Sequence, residues 1–180
     1  GQEAFVEWSN RSIEMRADLL CQAADRLEKE VARFCWLLIR ESGKAWVDAI
    51  DEIREAVDFL RYYAQEAKRS LGTEVLPGPT GESNEIQRVG RGVFVCISPW
   101  NFPLAIFTGQ MSAALVAGNA VVAKPASQTM LVAYHMVKLL HSIGIPEAVL
   151  QLVLGSARDV GAALVGHEGI AGVMLTGSTY

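Results

Sequence analysis

The sequence predicts an α/β fold in which N-terminal helices are followed by a Rossmann-like parallel βαβ sheet. Three observations carry that expectation. Charge is divided sharply along the chain: residues 1–91 hold 13 of the 16 Lys and Arg and 17 of the 20 Asp and Glu, and no charged residue lies between Arg91 and Lys124. In the charged half, apolar residues recur at alternating spacings of three and four, the mark of helices with one buried face. In the other half, short β-prone runs alternate with helix-length segments, as in a parallel sheet covered by helices.

Taken in order, Ile13, Ala17, Leu20, Ala24, Leu27, Val31, Phe34 and Leu38 draw a single stripe. It predicts one helix capped by Ser9 or Asn10 and ended by Gly43. Trp46, Ile50, Ile53, Val57, Leu60 and Ala64 draw a second stripe and predict a second helix docked on a core. Leu71–Gly92 contains five Gly and two Pro and reads as a crossing loop. Within it Glu85–Val89 alternates enough to form a short exposed strand. Beyond it, strands are predicted at Val93–Ile97, Ala120–Ala123, Val149–Leu154 and Gly172–Leu175. Helices are predicted between them at Leu104–Ala117, Thr129–Ile143 and Asp159–Val165. The expected organisation is a helical layer at 1–70, a crossover at 71–91 and a Rossmann-like half at 92–180.

Composition excludes several classes of function. A net charge of −4 lacks the basic face that non-specific nucleic-acid binding needs. Cys21, Cys35 and Cys96 are an odd, scattered set without a CxxC pair, which fits a reducing, cytoplasmic compartment and neither a disulfide scaffold nor a cysteine zinc site. Glu3, Glu7 and Glu14 occupy the place of a signal peptide's apolar region. Pro99, Asn101, Pro103, Gln110 and Asn119 interrupt the uncharged stretch, which argues against an integral membrane segment. His135, His141 and His167 show no metal-ligand spacing, so no metal is expected.

In open α/β sheets, ligands bind beyond the carboxyl ends of the strands. Those ends carry Ser98-Pro99-Trp100-Asn101, Lys124-Pro125-Ala126-Ser127, Gly155-Ser156 and Thr176-Gly177-Ser178. Small and polar residues thus gather where a ligand with hydroxyls or phosphates would lie. Neither GxGxxG nor GxxxxGK[ST] is present. Gly155 and Gly161 bracket a strand-to-helix turn suited either to a phosphate or simply to the turn. Lys124, the one charge in its surroundings, either snorkels to solvent or donates to a ligand oxygen. Asn101, between Pro99 and Pro103 and just before a helix, either donates to a developing oxyanion or bonds its own backbone. Trp100 reads equally as a core anchor.

Residues 97–109, Ile-Ser-Pro-Trp-Asn-Phe-Pro-Leu-Ala-Ile-Phe-Thr-Gly, with Ala123-Lys124-Pro125-Ala126 and Thr176-Gly177-Ser178-Thr179, resemble the aldehyde dehydrogenase superfamily. With Arg54–Ala64 added, the resemblance is closest to the pyrroline-5-carboxylate dehydrogenase part of the bifunctional proline utilization A proteins, and it covers essentially the whole chain. It implies an enzyme that oxidises glutamate semialdehyde, a small-molecule aldehyde, to glutamate with NAD, and a possible homo-oligomer. Asn101 then matches the oxyanion-holding asparagine, and Lys124 the lysine that bonds the adenosine ribose. Ser98, Pro99, Trp100, Ala126 and Ser127 line the cofactor. Gly155 and Gly161 fall near the adenine and pyrophosphate, and Gly177 and Ser178 open the pyrophosphate-contacting helix.

The sequence departs from the family pattern in three places. The family's nucleophilic cysteine and general-base glutamate belong to segments beyond Ser178, so the chain taken alone is expected to be an inactive N-terminal part of the cofactor domain. Ser127 stands where the family usually has a ribose-gripping glutamate, which should weaken NAD binding by about 1–3 kcal/mol. Tyr180 replaces the glutamate expected after Gly-Ser-Thr. The alternative reading is a non-catalytic Rossmann-like module for binding or assembly.

Overall fold

The computed structural model describes residues 2–177. It begins with α1 (Gln2–Ser9), α2 (Ile13–Lys29), α3 (Val31–Ser42) and α4 (Trp46–Ser70). The single helix expected up to Gly43 is therefore two. The apolar stripe runs through both because both bury it, but the backbone breaks at Glu30 (φ −104°, ψ 17°). Arg26 and Arg33 pair with the Glu30 carboxylate from either side of the break, at 2.7 and 2.9 Å. The cap of α2 is Ser12, whose Oγ accepts from the Met15 N–H. Ser9 and Asn10 instead donate to the Val6 carbonyl and close α1. Gly43 ends α3 in the left-handed conformation (φ +68°) that favours glycine. On α4 the stripe is buried from Ile53 through Ala64, whereas Trp46 is exposed and Glu52 is buried.

The crossing segment holds β1 (Glu74–Leu76) and β2 (Asn84–Ile86), an antiparallel pair with Val75 opposite Glu85. The expected strand is thus earlier and shorter than Glu85–Val89, because it ends where its three-residue partner ends. The remainder is β3 (Val93–Ile97), α5 (Ala105–Val116), β4 (Ala120–Lys124), α6 (Met130–Ser142), β5 (Leu150–Leu152), a π-helical turn (Ala157–Gly161), α7 (Ala162–Val165) and β6 (Gly172–Leu175). The regular helix expected at Asp159–Val165 is therefore a π turn capped by Ser156 and followed by one α turn. Four strands form one parallel sheet in the order β5-β4-β3-β6. This is the doubly wound arrangement, with the order reversing beside β3.

Strand alternation distributes the core. Cys96, Val121 and Ala123 face α5, α6 and the helical layer and share one apolar cluster with α2, α3 and α4. Val93, Val95, Ala120 and Val122 face the other way, against Phe5 of α1 and Leu164 of α7. α5 carries no charge because it is enclosed between sheet and layer. Its C-terminal carbonyls are met from the first two helices: Trp8 Nε1 donates to Leu115 at 2.9 Å and the buried Arg16 Nε to Val116 at 2.9 Å. Among the described residues, no helix is long and apolar enough to cross a membrane, and no cluster of His, Cys, Asp and Glu is suited to a metal.

Candidate functional site

Because the four strands are parallel, their carboxyl ends open on one edge of the sheet, and backbone bonds tie neighbouring ends together. The Ser98 N–H donates to the Lys124 carbonyl at 3.2 Å and the Thr176 N–H to the Ile97 carbonyl at 3.0 Å. Ser127 Oγ donates to the Gly155 carbonyl at 3.1 Å, joining the segments after β4 and β5. Across the reversal of strand order, Gln110 of α5 donates through Nε2 to the Ile97 carbonyl at 3.2 Å and to Thr176 Oγ1 at 3.1 Å.

Lys124 ends β4 and is only 2% exposed, which overturns the snorkelling reading. Alternation turns it toward the face of Ala120 and Val122, where its Cε lies beside the π turn at Gly161. Its Nζ donates to the Pro125 carbonyl at 3.1 Å, and among the described residues no carboxylate pairs with it. Burial lowers its pKa below the ordinary lysine range. At the end of β3 and on α5, the buried Ser98 Oγ and Gln110 Oε1 have no protein partner among the described residues. A buried polar atom left unpaired costs about 1–3 kcal/mol, so these strand-end groups and the buried ammonium each suit a ligand that carries hydroxyls. Gln110 was not legible as a site residue: glutamine in an apolar helix carries no motif, and only the sheet order brings it to two strand ends.

The turn after β3 presents Trp100 and Asn101 to solvent, so Trp100 does not anchor the core. Among the described residues the Asn101 side chain forms no hydrogen bond, so it does not close its own turn. Pro103 is buried, and the α5 N-terminus that follows is capped by a carboxylate from another element: Glu52 Oε1 accepts from the Leu104 N–H at 2.7 Å and the Ala105 N–H at 3.2 Å. The N-terminus of α6, just after the Lys124–Ser127 turn, is held in the same way. Glu41 of α3 accepts from the Leu131 and Val132 N–H groups at 2.6 and 2.8 Å. Ala126 is half-buried beside the exposed Ser127.

Gly155 has φ +151°, and a Cβ there would lie 2.4 Å from Val160 Cγ2, so the turn needs glycine. A Cβ on Gly161 would meet Lys124 Cε at 3.8 Å, an ordinary contact, so the turn itself does not demand glycine there. Gly177 is exposed beyond β6, while Ser178 and Tyr180 lie outside the described residues. Cys35 and Cys96 are buried, and burial raises both thiols, Cys96 to about 12; Cys21 is half-buried in α2. His135 Nδ1 lies 2.7 Å from Arg33 Nη2, and His141 Nε2 lies 2.9 Å from the Leu150 carbonyl, so both serve packing between elements.

A family model described as "Aldehyde dehydrogenase family" matches residues 1–180. The bifunctional protein PutA of Rhizobium meliloti is 51% identical over 164 residues, which are 91% of this chain and 12% of that protein. A crystal structure of a Bradyrhizobium japonicum proline utilization A mutant superimposes with a TM-score of 0.97 at 55% identity, covering 99% of this chain and 18% of that one. A 1-pyrroline-5-carboxylate dehydrogenase from Thermus with bound NAD superimposes with a TM-score of 0.91 at 38% identity, covering 96% of this chain and 34% of that one. The chain therefore spans between about one eighth and one third of the length of these relatives.

Proposed function

The chain belongs to the aldehyde dehydrogenase family, and from that premise we propose that it holds the cofactor in an NAD-dependent oxidation of glutamate semialdehyde, the open form of pyrroline-5-carboxylate, to glutamate in proline catabolism. The observation that carries the cofactor assignment is Lys124, a buried ammonium with one backbone acceptor at the end of a parallel strand. Lys124 Nζ would donate to a ribose hydroxyl of the adenosine, and Ser127 would offer a hydroxyl where a carboxylate would grip harder. Ser98, Pro99, Trp100 and Ala126 wall the site. The turn bracketed by Gly155 and Gly161 would lie near the adenine and pyrophosphate, with Gly177 on the pyrophosphate side; Ser178, assigned to the same side from the sequence, lies outside the described residues. NAD, when bound, supplies the hydride acceptor.

Asn101 provides the chain's own contribution to the chemistry. Its Nδ2 donates to the aldehyde oxygen as negative charge develops there, a role worth roughly two to three orders of magnitude in rate for a well-placed donor. The attacking thiolate is not among Cys21, Cys35 and Cys96. On this reading the nucleophile and the general-base carboxylate come from family segments that follow Gly177 in the relatives. Two buried free cysteines, neither in a disulfide, support a reducing, cytoplasmic setting.

Steady-state oxidation of pyrroline-5-carboxylate by the full-length gene product tests the proposal. Turnover with NAD, reduced about a hundredfold in kcat by Asn101→Ala, is the expected result. Turnover of unrelated aldehydes in preference, or none that depends on NAD, would overturn it.

A further inference from the structure

We propose that Glu52, with Lys44, is a positioning residue for Asn101, acting from the helical layer across the core; the inference rests on the oxyanion role given to Asn101 above. Glu52 lies in the second turn of α4, among charged neighbours that face solvent, yet it is 1% exposed. One of its oxygens accepts from the Leu104 and Ala105 N–H groups. The other lies 3.1 Å from Lys44 Nζ and has no further partner among the described residues. Lys44 in turn sits over the Phe102 ring, its Nζ 4.3 Å from the ring centre. One carboxylate and its cation thus hold Phe102, Leu104 and Ala105, three of the four residues that follow Asn101. Between them Pro103 is buried and has no N–H to offer.

A structural role alone does not require this arrangement. The N-cap position of α5 is Leu104, which has no capping side chain, and the helix start is buried, so its amides need an outside acceptor. A buried carboxylate is a costly acceptor, and a neutral side-chain oxygen would satisfy the same two amides for stability alone. A carboxylate does fix two amides at short range, and with them the direction in which the chain leaves the turn. Among the described residues the Asn101 side chain has no hydrogen bond of its own, so the backbone sets the position from which its amide donates. Before the turn, the backbone is held by the Ser98 N–H on the Lys124 carbonyl; after it, by Glu52. A displacement of the order of 1 Å in such a donor costs up to about a hundredfold in rate.

The test is a double-mutant cycle in the full-length protein, read in kcat, NAD Kd and thermal midpoint. Glu52→Leu is expected to lower kcat at least about tenfold while leaving NAD Kd within about twofold, because the Lys124 turn is held separately. In an Asn101→Ala background the same change should lower kcat by less than about twofold, since there is no amide left to misplace. Glu52→Gln, which keeps an acceptor oxygen, should recover most of the lost rate. Where Glu52→Leu gives no folded protein, Glu52→Asp decides: its shorter carboxylate withdraws from both amides, and the same kcat loss, absent in the Asn101→Ala background, is expected. A folded Glu52→Leu or Glu52→Asp protein with parental kcat overturns the inference. So does a loss of equal size in both backgrounds, which would make Glu52 a general scaffold residue. If Asn101→Ala itself leaves kcat unchanged, the oxyanion reading fails first and takes this inference with it.

Discussion

The Lys124 ammonium rests 3.1 Å from the carbonyl of Pro125, its own neighbour in the chain, and is otherwise enclosed by protein. A lysine in that setting destabilises the empty fold and suits it to a ligand. The cost comes from desolvation, which lowers the lysine pKa.

Lys124→Met is therefore expected to raise stability at neutral pH, by about 1 kcal/mol, because a buried unpaired cation becomes an apolar chain of similar length. The pH dependence has a definite sign. The folded protein holds the Lys124 proton less tightly than the unfolded chain does. The penalty is fully present below the lowered pKa and fades as pH rises from there toward the ordinary lysine range. The gap in thermal midpoint between Lys124→Met and parent should narrow from pH 7 to pH 10, and parallel melts at the two values would check it. An unchanged gap would mean that Lys124 is not the source.

Ser127→Glu should tighten NAD binding by roughly 1–3 kcal/mol, by restoring a charged acceptor beside the ribose. It should also lower stability by about 1 kcal/mol, since the bond from Ser127 Oγ to the Gly155 carbonyl is lost. Calorimetric titration of the full-length protein, paired with denaturant melts, reads both signs.

Gly155→Ala and Gly161→Ala should behave differently despite their closeness. At Gly155 the added methyl meets the stiff Val160 side chain at 2.4 Å in a backbone region unfavourable to alanine, so a loss of about 2 kcal/mol or more is expected. At Gly161 the methyl makes only an ordinary contact, so stability should hold within about 0.5 kcal/mol. Denaturant midpoints of the two variants decide this.

The parallel sheet was legible because buried strands and enclosed helices leave an uncharged, punctuated sequence, and all four predicted strands lie in it. Their lateral order was not, because it depends on the side of β3 on which the chain from β5 lands. The Glu30 break was hidden by an apolar stripe that continues through it without Gly or Pro. α1 escaped notice because its buried contacts, led by Trp8, span too few residues to establish a period. At the site, Lys124 stood out by its isolation. Glu52 did not: one carboxylate among many in α4 looks solvated until α5 is seen against it.

Thiol labelling of the native protein should spare Cys35 and Cys96, which are buried with raised pKa values, and reach Cys21 alone of the three. Mass-spectrometric mapping after a brief alkylation at pH 8 checks this, and modification of Cys96 before unfolding would contradict the packing of β3.

On the proposed reading, the strand-end site around Lys124 holds NAD. Thermal unfolding of the full-length protein across a range of NAD concentrations, parent beside Lys124→Met, tests it most directly. A ligand that binds only the native state raises the midpoint as its concentration grows. The midpoint is expected to climb with NAD in the parent and to stay nearly flat in a Lys124→Met protein of equal or higher starting stability. A parent midpoint indifferent to NAD, or an equal climb in both proteins, would contradict it.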